Sequence, residues 1–462
     1  ELGPAVTTTD NNSYSHNYGV ESYLARINYG FKSRYYIDAS WRTDGSSRFH
    51  PSDRWGHFWS VGASWRISEE QFMENTRQWL DNLTLKVSYG VQGNDNLGTY
   101  YAWQGLYDYT WPNATDAGAF VDKLENRKVT WEKNGNLNAG IEATMFGGRL
   151  GVSVEYYNRK TRDMLLNSPL PISTGFTGFN DNVGSLRNQG LEVSLRGTIL
   201  DKRDFRWDAT LMGSFNRNKV LSLTGGQDVI TSGIRVIEVG RPIYTFYLPK
   251  TAGVDPATGK QLYYAYWTQT VNDEGALVNT RCDEYITDNV AMATLSKYYH
   301  ESREPKLFGS IGSTFTILKN IDVSFLTTYS IGGWVYDGLY NGSMYVQYAG
   351  NNWHKNAKRR WQKPGDKTDV PMLEVGGSYA TASNSLIDAS YFAIKNITVG
   401  YTLPKRWLKK IDIESLRIYA TLDNIAMFNH MDGMDPQYNF TGSVAYSYTP
   451  SRVIAFGIDL NF

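Results

Sequence analysis

Few residues in this chain are spaced for covalent chemistry. Glu69 and Glu70 are neighbouring carboxylates of the kind an acid–base pair uses. Beside Gln71, at the end of an alternating segment, they read as solvated charges. The six histidines show no H-E-x-x-H or similar metal spacing. Asp283, Glu284 and Asp288 carry the oxygens calcium takes, without the glycine and closing glutamate of an EF-hand loop. Gly93-Asn94-Asp95-Asn96 and Gly225-Gly226 lack the Lys-Ser/Thr that follows a phosphate loop, and read as turns. Lys355, Lys358, Arg359 and Arg360 form a basic run that suits a solvated loop, lipopolysaccharide or a partner better than nucleic acid. The one cysteine, Cys282, forbids an intrachain disulfide and a thiolate cluster. No catalytic, cofactor or metal residue is assigned, and the chain does not read as an enzyme.

The segments that would position such groups have a period of two. At the chain's end, Ile454, Phe456, Ile458, Leu460 and Phe462 alternate with Val453, Ala455, Gly457, Asp459 and Asn461. That spacing puts large apolar residues on one face of a strand and small or polar ones on the other. The same alternation runs through Tyr35–Arg42, Trp59–Ile67, Leu83–Gly90, Leu150–Tyr157, Leu191–Ile199, Phe205–Asn216, Ile321–Tyr329 and Leu416–Asp423. A first strand lies near Glu21 to Phe31. Between Phe392 and Tyr401 the phase slips at Lys395-Asn396, which reads as a bulge. About thirteen strands result.

A soluble sandwich or propeller also alternates. Two features favour a membrane barrel instead. The polar faces carry full charges while the apolar faces end in Trp or Tyr, as an aromatic girdle would. Several patterns also persist for about ten residues, the length that crosses a bilayer. Lys plus Arg equals Asp plus Glu at 46 each, so no charge excess favours nucleic acid. The negative mean hydropathy is compatible with a barrel, because only alternate strand residues meet lipid. No apolar run reaches the ~18 residues of a membrane helix.

Connections alternate in length. Gly147-Gly148 and Asp201 to Asp204 read as tight turns, and 94–129, 223–304 and 334–388 as long loops. Short periplasmic turns and long outer loops are the habit of outer-membrane barrels. The long loops hold Trp103, Trp111, Trp267, Trp334, Trp353 and Trp361. Of these, Trp267, Trp334, Trp353 and Trp361 are candidates for contact with substrate or partner.

Several segments resemble the SusC/RagA family of TonB-dependent outer-membrane transporters. They are Arg42 to Phe49 (RTDGSSRF) with Arg54-Trp55-Gly56, Ile67-Ser68-Glu69-Glu70 with Phe72, Asp81-Asn82-Leu83, Ser88-Tyr89-Gly90 and Gly93-Asn94. Further along come Gly240-Arg241-Pro242-Ile243, Gly253-Val254-Asp255-Pro256 with Gly259, Tyr391 to Pro404 (YFAIKNITVGYTLP), Asp423-Asn424 with Phe428, and Gly433-Met434-Asp435-Pro436. Gly457, Leu460 and Phe462 resemble the terminal signal read by the barrel-assembly machinery; a final strand with an aromatic end is the plainer reading.

The resemblance implies an all-β fold: an antiparallel transmembrane barrel of about 22 strands, with residues 1–462 as its C-terminal portion, roughly three-fifths. Family members carry an N-terminal extension, a TonB box, a plug and the first barrel strands before this region, and none is visible here. A nicked chain, a split gene product and a partial sequence remain alternatives. The implied function is active import of oligosaccharides or peptides across the bacterial outer membrane. TonB would act through a plug outside this chain, and a SusD-like surface lipoprotein would form the lid. Lipid and lipopolysaccharide would surround the wall. A structural or adhesive barrel without transport is the alternative, and a secreted glycan-binding protein or hydrolase a further one.

Overall fold

Where apolar and polar residues alternate, a strand buries one face only if a neighbour takes up its backbone hydrogen bonds. In the computed structural model the alternating segments do this by joining one antiparallel sheet. It describes residues 15–108, 118–223, 228–344, 352–374, 377–408, 413–431, 434–437, 441–444 and 448–462. Trp111, Gly225-Gly226 and Gly433 lie outside them.

Among the described residues, thirteen strands form the wall. They are β1 (Val20–Phe31), β2 (Tyr35–Ser46), β3 (Trp55–Arg66), β4 (Leu80–Asn94), β5 (Glu132–Met145), β6 (Leu150–Arg162) and β7 (Ser185–Lys202). Then come β8 (Phe205–Ser222), β9 (Leu307–Ile317), β10 (Ile321–Ile331), β11 (Tyr391–Thr402), β12 (Ser415–Asn429) and β13 (Val453–Asn461). Each pairs with its sequence neighbour in the wall. Among the described residues, the outer edges of β1 and β13 take no strand partner.

The two faces differ as the alternation predicts. On one, Trp207 stacks on Phe315 at 5.7 Å and Phe315 meets Phe325 at 6.1 Å. Aromatic pairs mark both ends of this face: Tyr35 with Trp65 at the short-turn end, Tyr23 with Trp55 at the loop end. Phe456, Ile458 and Leu460 are exposed there. An apolar face with an aromatic girdle at each end is what lipid stabilises. On the other face Arg206 pairs with Asp208 at 2.7 Å and Arg417 with Asp322 at 2.6 Å.

The phase slip is a bulge. Thr327 opposes Ile394 and Leu326 opposes Asn396, leaving Lys395 extra. β12 answers with its own irregularity, where Asn424 adopts a left-handed φ of 51°. Other boundaries differ from the sequence reading. β7 runs to Lys202 and β8 starts at Phe205, so only Arg203-Asp204 turn, and Asp201-Lys202 stay in the ladder. β4 runs to Asn94, so Gly93 belongs to a strand. At Gly147-Gly148, φ values of 65° and 81° mark the expected tight turn.

Connections then sort by end. Residues 32–34, 67–79, 146–149, 203–204, 318–320 and 403–414 close one end of the wall. Residues 47–54, 95–131, 163–184, 223–306, 332–390 and 430–452 close the other. Asn461, the last residue of β13, opposes Ser415 and so lies at the short-turn end.

Candidate functional site

The polar face of the wall forms a depression of about 600 Å³ across β1 to β6. Arg26, Asp38, Lys86, Glu142 and Glu155 supply its charges. Lys86 pairs with Glu142 at 2.5 Å across β4 and β5. Lys86 faces Gly140 and Glu142 faces Thr84, so the ion pair is a diagonal one between neighbouring strands. The lining is thus polar and charged on the face opposite the apolar wall. Among the described residues, no group of three or more His, Cys, Asp or Glu is placed to hold a metal.

Both paired carboxylates and two of the loop acids are engaged in structure, Glu69 with Arg66 at 3.4 Å. Glu70 accepts hydrogen bonds from the Tyr35 hydroxyl, from Trp65 Nε1 at 3.0 Å and from Arg34 at 3.3 Å. Those donors, the tyrosine first, hold its carboxyl below the usual range. It was expected to be solvated; instead it ties the 67–79 connection to β2 and β3. Asp288 pairs with Lys260 at 2.7 Å, and Glu284 accepts from Tyr298.

At the loop end the motif segments meet. Asp95 accepts from Ser46 at 2.6 Å and pairs with Arg48 at 3.4 Å, joining the RTDGSSRF segment to Asp95-Asn96. Phe49 and Phe58 pack beneath them against Trp131. Trp103 packs against this cluster. The other three long connections interlock. Arg303, in 223–306, donates to the Pro436 carbonyl at 2.7 Å. Arg235 donates to Thr441 at 3.3 Å. Thr251 N–H donates to Ser383 in 332–390 at 3.1 Å.

The four candidate tryptophans are dispersed over this roof. Trp267 is half-buried on the strand Gln261–Val271, and its carbonyl accepts from Tyr285. Trp334 packs against Phe246, Leu248 and Tyr336. Trp361 lies on Gly259, where a Cβ would come within 2.4 Å of its ring, and donates to the Pro256 carbonyl at 3.0 Å. Trp353 is 38% exposed and the most open of the four. No common stacking platform forms from them. Gly457 faces the polar side, with the Tyr419 ring lying over it; a Cβ there would fall 2.2 Å from that ring. Leu460 pairs with Leu416 on the apolar side.

Glu304 was not singled out by sequence, since a lone acid in a loop carries no signal. It sits where the roof re-enters β9, accepting from Asn218 N–H at 3.2 Å. Burial pushes its carboxyl up to about 7.

Comparison with known proteins agrees with this wall and roof. Residues 2–425 match the family described as TonB dependent receptor-like, beta-barrel. TonB-dependent receptor P26 of Formosa agariphila is 29% identical over 96% of this chain and 46% of its own length. TonB-dependent receptor SusC of Bacteroides thetaiotaomicron is 29% identical over 96% of this chain and 43% of its own. A solved structure of the RagAB peptide transporter superposes with a TM-score of 0.82 at 30% identity, over 96% of this chain and 48% of that one. The chain thus spans about half the length of the curated relatives it matches. With a one-sided apolar wall and a family match across most of its length, the chain belongs to the TonB-dependent receptor β-barrels of the SusC and RagA type, proteins of the bacterial outer membrane.

Proposed function

We propose that this chain supplies barrel wall and outer roof to a TonB-dependent importer of oligosaccharides or peptides, working with a SusD-like surface lipoprotein as its lid. The likeness to the RagAB peptide transporter across 96% of the chain carries this reading. The architecture fits it. A polar, ion-paired inner face lets a hydrated solute pass without an apolar trap, and an apolar outer face holds the wall in lipid. The roof built from 223–306, 332–390 and 430–452 is large enough to offer the ~800 Å² per side that a stable protein contact needs. Energy would enter through TonB pulling on a plug supplied by sequence outside these residues. No catalytic step belongs to this reading.

The test removes 334–388 from the full-length receptor while β10 and β11 keep their pairing. Co-purification of the lipoprotein and TonB-dependent uptake should both fall, with heat-modifiable migration of the barrel retained. If lid retention and uptake both survive, the roof has been misassigned.

A further inference from the structure

Within the roof, the strands Gln261–Val271 and Leu277–Thr287 form a hairpin. Its inner half is built into the body. Tyr263 is buried, and Thr251–Val254 pairs beside it through Tyr263, Leu262 and Gln261. Its outer half is different. The pairs Thr268↔Thr280, Gln269↔Asn279, Thr270↔Val278 and Val271↔Leu277 hold only each other. Among the described residues no further strand joins either outer edge there. Val271 and Leu277, a cross-strand apolar pair near the tip, are 65% and 69% exposed.

A free-standing two-stranded ribbon is marginal in water. Proteins normally guard such edges with lysine, proline or inward charges. Residues 268–271 and 277–280 (TQTV and LVNT) contain none of these. The only charges between Thr268 and Thr280 are Asp273 and Glu274, both in the tip.

We infer that this ribbon is an arm that takes up an extended strand from an outer-surface protein partner, with basic residues on that partner meeting the acidic tip. The inference rests on the import reading, in which that partner is the surface lipoprotein. Backbone pairing along an open edge supplies affinity, and the Val271–Leu277 pair supplies an apolar anchor. A second copy of this chain is the poorer occupant. Parallel pairing would bring two acidic tips together. Antiparallel pairing would set each tip beside Asp283 and Glu284 of the other copy, with only Arg281 to offset them.

The test uses the full-length receptor co-expressed with its lipoprotein. One variant carries Val271→Lys and Leu277→Lys; another replaces 270–278 with an Asn-Gly turn, the tight connection two strands accept most readily. A third places a photo-crosslinking residue at Asn279. Lid retention should weaken about tenfold in the first two, the scale of a lost interface anchor, with heat-modifiable migration unchanged. The crosslink should join receptor to lipoprotein. Full lid retention by the shortened arm overturns this inference and leaves the import reading standing. A crosslink between two receptor chains overturns it in favour of self-pairing. If the unmodified receptor retains no lipoprotein, both readings fall.

Discussion

Arg417 on β12 grips Asp322 on β10 by reaching across the whole width of β11. Its Nε and Nη2 donate to the two carboxylate oxygens at 3.1 and 2.6 Å, while Nη1 lies 3.3 Å from Asp459 on β13. The span is possible because Gly400 lies beneath: a Cβ there would sit 2.5 Å from Asp322 and 2.6 Å from the guanidinium. One side chain thus ties β10, β12 and β13 across β11 at the short-turn end. Removing it with Arg417→Ala should cost about 1 kcal/mol, the upper range for a partly exposed pair with good fork geometry. Gly400→Val should cost at least as much by prying the pair apart. Denaturant unfolding of the barrel in detergent reads both, and Arg417→Lys should not restore the two-pronged contact.

The apolar face gives the second prediction. Ile458 pairs with Ile418 and is 64% exposed on the side assigned to lipid. Ile458→Arg should destabilise the assembled barrel by ~2–4 kcal/mol if the residue lies near the bilayer midplane. Asp459→Asn, one residue along on the polar face, should cost far less. Equal effects at the two positions would contradict the two-faced wall.

How much of this was legible depended on residue size. Strands with several large apolar residues in alternation, such as Tyr35, Ile37 and Trp41 on β2, Trp59, Val61 and Trp65 on β3, and Phe205, Trp207, Leu211 and Phe215 on β8, declared themselves. So did the bulge, because Lys395-Asn396 interrupts a run of apolar residues. β5 and β9 did not declare themselves individually. Their apolar faces include Ala139, Ala143, Gly309 and Ser313, small residues that fit beneath neighbouring rings but hardly register as hydrophobic. Trp207 Nε1, for one, donates to Ser313 at 3.1 Å. The long loops were visible as interruptions, yet the strands inside them were not. Thr251–Val254 and Thr245–Pro249 are too short to show a period, and are set by pairing with Gln261–Tyr263 and Lys297–Ser302 inside the same connection. Exposed and structural tryptophans could not be separated by sequence, since Trp361 is defined by a glycine about a hundred residues away.

Gly457 can be tested apart from the rest of its terminal motif. If the residue matters because Tyr419 lies on it, Gly457→Ala should destabilise the folded barrel. The double variant with Tyr419→Ala should recover much of the loss, since the clash has been removed. A double-mutant cycle measures that coupling. If assembly in cells stays defective in the double variant while detergent stability recovers, Gly457 acts in the assembly signal.

The roof depends on Trp361. Besides its own bond to Pro256, Gly365 N–H donates to Pro256 and Met372 N–H to Gly259, each at 2.8 Å. These contacts clamp the 253–260 turn to the 352–374 segment. Trp361→Ala should loosen the clamp by roughly 1 kcal/mol for the lost hydrogen bond, with ring packing in addition. Limited proteolysis should then cut 352–374 faster, with the wall strands still protected. Gly259→Ala should act in the same direction, because its Cβ would displace the indole.

Glu304 makes the roof sensitive to pH, in a direction opposite to most carboxylates. Burial raises its folded value from the ordinary 4.5 to about 7, with the Asn218 N–H only partly offsetting the loss of water. Below about 4.5 the carboxyl is protonated whether the roof is docked or open, and it adds no pH dependence. Between about 4.5 and 7 the docked state holds more protons than the open one, so stability falls as pH rises through that window. Above about 7 both states are ionised and the cost is fully present. The segment 298–306 should therefore exchange its amides more slowly at pH 5.5 than at pH 8, after correction for the intrinsic rates. Glu304→Gln keeps the acceptor for Asn218 and removes the charge. It should flatten that difference and protect the segment at pH 8. An unchanged pH profile in the variant would assign the effect to another group.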